Sequence, residues 1–392
     1  MKKSILGSIL VLIFGLGLSS TLWAEVGVTD TEIVVGSEQD LSGPIAFLGG
    51  QIKNGLDMKI KEINEAGGIH GRKLRLVVGD HAYDPKKAIM LTNKLINRDK
   101  VFCFVSILGT APAVAVKPII TKKKIPFLFP VSASENAYTP FNRYAFALVV
   151  PYRGQGAIMV KYGVKTKGYK KFGLMYQDDD FGVGVLNGMK QQLSKYNLKL
   201  LAAESYKRGA TDFSSQMAKL KRADVDVVAL ATVVRETVGA MKEISKMGWD
   251  VPLLAASPAS SAYVPVLAKK AGISSDGMQV LNSYPDISVT DLPAVKEWRK
   301  RYVKAFGKPP GMYVITGYDW MNFFRIALEK AGRDLTRETL VDALETFKDV
   351  PSILGGPAVT FSPTKRLGTN QFFVALLQGG KLWKISEWIS MD

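Results

Sequence analysis

The sequence predicts an α/β protein of two lobes, and three observations carry that prediction. Short apolar runs rich in β-branched and aromatic residues alternate with segments of helical period. The alternation runs through residues 32–125, weakens over YAFALVVPYRGQG (144–156) and restarts at 172. A chain of 392 residues, 47% hydrophobic and 22% charged, is also long enough to bury more than one core.

At the N-terminus, Lys2-Lys3 precedes an apolar stretch from Ile5 to Leu18 and small polar residues before Ala24. This pattern predicts a secretory signal peptide over residues 1–24, cut after Ala24, and hence an exported protein. A membrane anchor is the alternative, but the stretch is short and holds three glycines. The single cysteine, Cys103, lies in the apolar run VFCFV, so it reads as a core residue and permits no internal disulfide.

The strands expected are EIVVGSE (32–38), KLRLVVGD (73–80), VFCFVSI (101–107), IPFLFP (125–130), FGLMYQ (172–177), VDVVALAT (225–232) and VPLLAAS (251–257). Near-continuous apolar character suits strands covered on both faces, as in parallel βαβ units. Between them Leu56, Ile60 and Ile63 share one helical face, which Gly67-Gly68 ends. Leu91 with Leu95, then Phe213, Met217 and Leu220, then Met241 with Ile244 repeat the pattern. Asp212 is placed to cap one of these helices and Gly248 to close another. After residue 282 come an acidic, proline-marked turn and further helical segments, and the final AVTFSPTKRLGTNQFFVALLQGGKLWKI alternates like strands around a Gly379-Gly380 turn.

The formal charge is +17, and removal of residues 1–24 takes away two lysines and no acid, leaving +15. The basic clusters KKK (122–124) and KTKGYKK (165–171) have no aromatic interleaving, so they read as solvated surface, and a nucleic-acid partner is not expected.

Candidate chemistry is sparse. Asp178, Asp179 and Asp180 offer a D-x-D pair such as metal-dependent glycosyltransferases use, or else the cap of a helix starting near Phe181. The only histidines, His70 and His81, sit in polar turns with no convergent metal ligand. No phosphate-loop pattern and no G-x-S-x-G elbow occurs, so neither a cofactor nor an enzyme activity is expected. What remains is a strand end leading into a helix N-terminus, whose free N–H groups and a hydroxyl suit a carboxylate. Gly109-Thr110-Ala111 and Ser132-Ala133-Ser134 both fit that description, and both also fit ordinary caps without a ligand.

Several long segments together resemble a type I periplasmic substrate-binding protein of the branched-chain amino-acid ABC-transporter family. They are VVGSEQDLSGPIAFLGGQIKNGLDMKIKEINEAGGIHGRKLRLVVGDHAYDP, VFCFVSILGTAPAVAVKPIITKKKIPFLFPVSAS, FGLMYQDDDFGVGVLNGMKQQL and DFSSQMAKLKRADVDVVALAT. The resemblance implies two Rossmann-like, doubly wound lobes joined by three crossovers near 147–149, 281–283 and 354–356. Residues 26–147 plus 283–354 would form lobe 1, and residues 148–282 plus 355–392 lobe 2. It also implies a monomer that closes on a small ligand and delivers it to an inner-membrane permease; a sensing subunit for a membrane receptor is the alternative.

Residue by residue, the resemblance places Gly109, Thr110 and Ala111, then Ser132, Ala133 and Ser134, on the ligand carboxylate. It puts Phe181 where an aromatic covers the ligand, Phe47 and Leu48 near the cleft, and Arg235 where relatives face the ligand with an aromatic. Amino-acid binders of the family place an acidic residue after the strand VPLLAAS to pair with the ligand ammonium. Here that loop offers only Ser257 and Ser260. An unmatched buried ammonium is costly, so an apolar or aromatic carboxylate is preferred to a branched-chain amino acid.

Overall fold

The computed structural model describes residues 25–261 and 263–391, so the expected signal peptide lies outside the described residues. Two sheets organise the chain. The first takes β1 (Glu32–Gln39), β2 (Lys73–Asp80), β3 (Cys103–Val105), β4 (Phe127–Leu128) and β5 (Ala145–Phe146) in the order β2-β1-β3-β4-β5, every pairing parallel. Helices α1 (Ala46–Glu65), α2 (Pro85–Asn97) and α3 (Thr110–Lys122) connect its strands.

The second sheet repeats the plan. Here β6 (Phe172–Gln177), β7 (Leu200–Tyr206), β8 (Val227–Ala231), β9 (Leu253–Ala255) and β10 (Gln279–Asn282) run parallel in the order β7-β6-β8-β9-β10. The antiparallel β11 (Gln371–Gln378) and β12 (Lys381–Lys384) extend the β10 edge, and β13 (Ile389–Ser390) pairs with β11. Helix α4 (Tyr152–Lys167) leads into this sheet, and α5 (Asp180–Ser194), α6 (Ser214–Arg222), α7 (Val234–Lys246) and α8 (Tyr263–Lys270) link its strands. Helices α9 (Pro293–Phe306), α10 (Met312–Ala331) and α11 (Arg337–Glu345) follow β10.

The same sequence device brings a helix pair together in each half. A Cβ on Gly55 of α1 would lie 2.2 Å from the Val314 carbonyl oxygen, and one on Gly317 of α10 would lie 2.1 Å from that of Ile52. Gly156 of α4 and Gly188 of α5 meet their partner backbones at 2.3 and 1.9 Å in the same sense. Only glycine allows backbones this close, so α10, late in the chain, is locked onto the first sheet's α1.

The structure adds β7 and β10 to the strands expected. In β7 partly buried residues alternate with exposed ones, as an edge strand does, and the run LLAAESY has no continuous apolar signature. Phe213, not Asp212, occupies the cap position of α6, yet the Asp212 carboxylate still accepts the Ser214 N–H at 2.9 Å. The third connection also differs from expectation. Phe361 packs edge-on against Phe146 at 5.0 Å and parallel to Phe129 at 6.1 Å, both belonging to the first sheet, and Leu367 bridges to Ala147. The chain therefore stays with the first sheet beyond 354–356 and joins the second only as β11 begins, because two aromatic contacts hold the segment back.

Candidate functional site

In both sheets the strand order reverses direction beside the first strand, between β1 and β3 and between β6 and β8. Ligands of open α/β sheets bind outside the carboxyl ends of strands at such points. The loops that leave these four strand ends lead to α1, α3, α5 and α7, where Phe47, Leu48, Gly109, Thr110, Ala111, Phe181 and Arg235 lie, while Ser132, Ala133 and Ser134 follow β4 and Ser257 follows β9.

The loop after β3 is held from below. Leu108 donates its N–H to the Glu38 carbonyl at 2.9 Å, and the Gln39 amide donates to the Ser106 carbonyl at 2.6 Å. His81 is fully buried; its Nδ1 takes the Tyr83 N–H at 3.0 Å, which leaves Nε2–H to donate to the Leu108 carbonyl at 3.0 Å. Burial lowers its pKa, keeping the ring neutral as this pattern requires. This histidine is thus a strut of the loop and more than a polar turn residue. Gly109 then starts α3 at φ +94°, with a Cβ there only 2.4 Å from the Tyr83 ring.

Three hydroxyls meet at this point. Ser132 donates to Thr110 Oγ1 at 3.0 Å, and Thr110 Oγ1 lies 3.0 Å from the hydroxyl of Tyr152, the first residue of α4. Two hydrogen bonds use two of the three hydroxyl protons, so one proton of the chain has no acceptor within it. Burial pushes the Tyr152 phenol up to about 12, so it stays a donor at neutral pH.

Tyr152 lines a cavity with Ser132 and Ala133 on one side, Ser257 and Ser260 on the other, and Asn282 and Tyr284 at the crossing. Met312, Tyr313, Thr316 and Trp320 of α10 supply the apolar wall, and no lining residue is charged. Asn282 is 3% exposed. Its Oδ1 accepts the N–H of Ser283 at 3.0 Å, which fixes the amide orientation, and its Nδ2 has no partner. The Tyr152 hydroxyl and the Asn282 amide thus both belong to residues that line one uncharged, aromatic-walled space.

A second compartment opens between α1 and the starts of α7 and α8. Phe47 and Leu48 face Val234, Arg235, Glu236 and Leu267 there, and the Phe47 ring meets Tyr263 with centroids 3.4 Å apart. Further contacts tie the two halves together. Asn136 donates to Asp180 at 2.9 Å, Arg153 lies 3.7 Å from Glu135, and the Arg208 guanidinium sits 5.1 Å over the Tyr83 ring.

The nominated residues thus divide. Ser132, Ala133 and Ser257 line the first cavity, while Phe47, Leu48 and Arg235 line the second. Thr110 lines neither space and lies 3.0 Å from the Tyr152 hydroxyl, with Gly109 and Ala111 beside it at the start of α3. Ser134 caps the short helix Glu135–Ala137 through the Asn136 N–H at 3.2 Å. Phe181 departs from expectation: it is 2% exposed, packs on the Tyr152 ring at 4.5 Å, and does not line the cavity. Of that ring pair, Tyr152 is the member on the cavity wall.

The aspartates resolve separately. Asp179 caps α5, accepting the Phe181 N–H at 3.0 Å, Asp178 pairs with Lys207 and Asp180 takes the Asn136 amide. Among the described residues no group of His, Cys, Asp and Glu is placed to hold a metal ion. Sequence reasoning missed Tyr152, Asn282 and the α10 wall. For Tyr152 a signal existed, since PYRGQG ends the weak stretch 144–156 where the chain crosses between sheets.

Two α/β halves that are linked by crossings and enclose a lined cleft define a two-lobed ligand-binding protein. Residues 32–381 match the family model described as periplasmic binding protein, and the chain belongs to that family, as a type I member related to the Leu/Ile/Val-binding proteins. Leu/Ile/Val-binding protein homolog 3 of Brucella melitensis is 23% identical over 351 residues, spanning 90% of this chain and 93% of that protein. The structure of a fatty acid ABC transporter substrate-binding protein from Thermomonospora curvata superposes with a TM-score of 0.85 at 27% identity, covering 94% of each chain. A branched chain amino acid ABC transporter protein from Thermus thermophilus with bound valine shares the fold, with a TM-score of 0.83 at 18% identity over 93% of this chain and 97% of that one. The role is that of the ligand-binding component of an ABC importer.

Proposed function

We propose that the chain is a periplasmic, monomeric, non-enzymatic binding protein that captures an apolar or aromatic carboxylate between its lobes and presents it to an inner-membrane permease. One observation carries the ligand class. The cavity offers the spare proton of the Ser132–Thr110–Tyr152 chain and the unpartnered Asn282 amide as donors, and no acid among its lining residues. Hydrogen bonds of this kind stabilise a carboxylate in place of a counter-ion. A ligand ammonium in the same space would have no anionic partner, which disfavours α-amino acids. The relative from Thermomonospora curvata, which carries fatty acid in its name, supports the preference. On this reading the first sheet with α10 and α11 forms lobe 1, the second sheet forms lobe 2, and closure brings Tyr152 onto Thr110.

Isothermal titration with benzoate, decanoate and leucine tests the proposal. Saturable binding of a simple carboxylate and weaker binding of leucine are expected. Tight leucine binding with no response to either acid would overturn the ligand class.

A further inference from the structure

The second compartment holds a feature that an apolar tail leaves unexplained. Glu236, on the first turn of α7, is 4% exposed and lines this space, and its Oε2 has no hydrogen-bond partner. Val238 and Met241 of α7 are buried in the apolar core beside it. A ligand that leaves a buried carboxyl oxygen without a hydrogen-bond partner binds about tenfold or more weakly than one that satisfies it. The occupant of this compartment should therefore bring a donor of its own.

The loop after β9 connects the two spaces, with Ser257 and Ser260 on the first and Tyr263 on the second. Resting on the carboxylate reading of the first cavity, we propose that the natural ligand is an elongated apolar carboxylic acid with a hydroxyl at its far end. The carboxylate binds at Tyr152 and Asn282, the hydrocarbon body runs beneath the Phe47–Tyr263 pair, and the terminal hydroxyl donates to Glu236 Oε2. An ammonium at the far end is disfavoured by the adjacent Arg235 guanidinium, which lines the same space. A hydroxyl can also accept, and so it suits Glu236 whether that carboxyl is ionised or, as its burial favours, protonated.

The test is titration of the full chain with benzoate, decanoate, ω-hydroxydecanoate and decanol, repeated with Glu236→Leu and Leu267→Trp. The wild type should bind ω-hydroxydecanoate about tenfold more tightly than decanoate, and Glu236→Leu should erase or reverse that ratio. Leu267→Trp fills the second compartment and should weaken both long acids about tenfold or more relative to benzoate. Equal affinity of the two long acids, or a ratio that Glu236→Leu does not move, would overturn the inference even where benzoate binds. Decanol separates the two readings, since it carries chain and hydroxyl but no carboxylate. If benzoate fails while decanol binds and Glu236→Leu or Leu267→Trp abolishes that binding, the second compartment stands and the carboxylate reading falls. If neither decanol nor a long acid responds to these variants, the second compartment is not a ligand site.

Discussion

The hydroxyl of Tyr152, at the start of α4, lies 3.0 Å from Oγ1 of Thr110, at the start of α3, so a side chain on the helix that leads into the second sheet meets the helix start that follows β3 of the first. Tyr152→Phe removes the phenol and keeps the ring. Loss of a hydrogen bond to a charged ligand costs about 1.5–3 kcal/mol, so carboxylate affinity should fall roughly tenfold to a hundredfold. Thr110→Val should weaken binding less, because Tyr152 then keeps its own proton for the ligand. Calorimetric titration of both variants with the same acid checks the order, and a larger loss in Thr110→Val would place the carboxylate on Thr110 directly.

Phe181 supports Tyr152 from behind, with ring centroids 4.5 Å apart. Truncation to alanine opens a hole in a fully packed core and should lower unfolding stability by about 3–5 kcal/mol, while freeing the Tyr152 ring and weakening the ligand with it. Phe181→Tyr is the informative companion. A ring on the cavity wall would gain a donor and change affinity, whereas a ring behind Tyr152 should leave affinity within about twofold and cost stability through a buried hydroxyl. Denaturant melts together with titration separate the two outcomes.

Much of this architecture was legible because parallel strands covered on both faces leave an unmistakable trace. VFCFV and VDVVALAT are strands by composition alone, and β3 and β8 are entirely buried. The loops leaving such strands could be nominated for the same reason. What stayed hidden depends on contacts between distant segments. Tyr152 is an ordinary helix-starting tyrosine until Ser132 and Thr110 are brought to it, and Asn282 becomes notable only once its Nδ2 is seen to lack a partner. Phe361 belongs with the first sheet through two ring contacts that no periodicity encodes, and so the third crossing falls later than expected. Leu200–Tyr206 is an edge strand with exposed alternate positions, so it leaves no continuous apolar run to find.

The aspartate run makes a separable prediction. Asp179 alone caps α5, so Asp179→Ala should cost about 1 kcal/mol of stability. Asp178 faces Lys207 at the surface, where ion pairs contribute little, and Asp178→Ala should be nearly neutral. Added manganese should leave the melting temperature unchanged in all of these proteins. A manganese-dependent rise in the wild type that Asp178→Ala with Asp180→Ala removes would restore the metal reading of the run.

Glu38 predicts a pH dependence whose sign is the reverse of the usual salt-bridged carboxylate. The residue is fully buried in β1, Thr92 donates a hydroxyl to one oxygen, and the other oxygen has no partner. Burial lifts its pKa from 4.5 to about 8 against the smaller opposing pull of the Thr92 bond. Between those values the folded chain keeps the proton and the unfolded chain releases it, so unfolding is favoured as pH rises. The stabilisation is complete below about 4.5, is lost at up to about 1.4 kcal/mol per pH unit through the window, and is gone above about 8. Glu38→Gln preserves shape and cannot titrate. The difference in urea-unfolding stability between the two proteins, measured across that window, isolates Glu38 from His81 and other groups that titrate in both. The wild type should lose ground steadily to Glu38→Gln as pH rises, by a few kcal/mol in all. Parallel curves would show that Glu38 does not titrate there, and a gain by the wild type would mean that the buried carboxyl is ionised and paired.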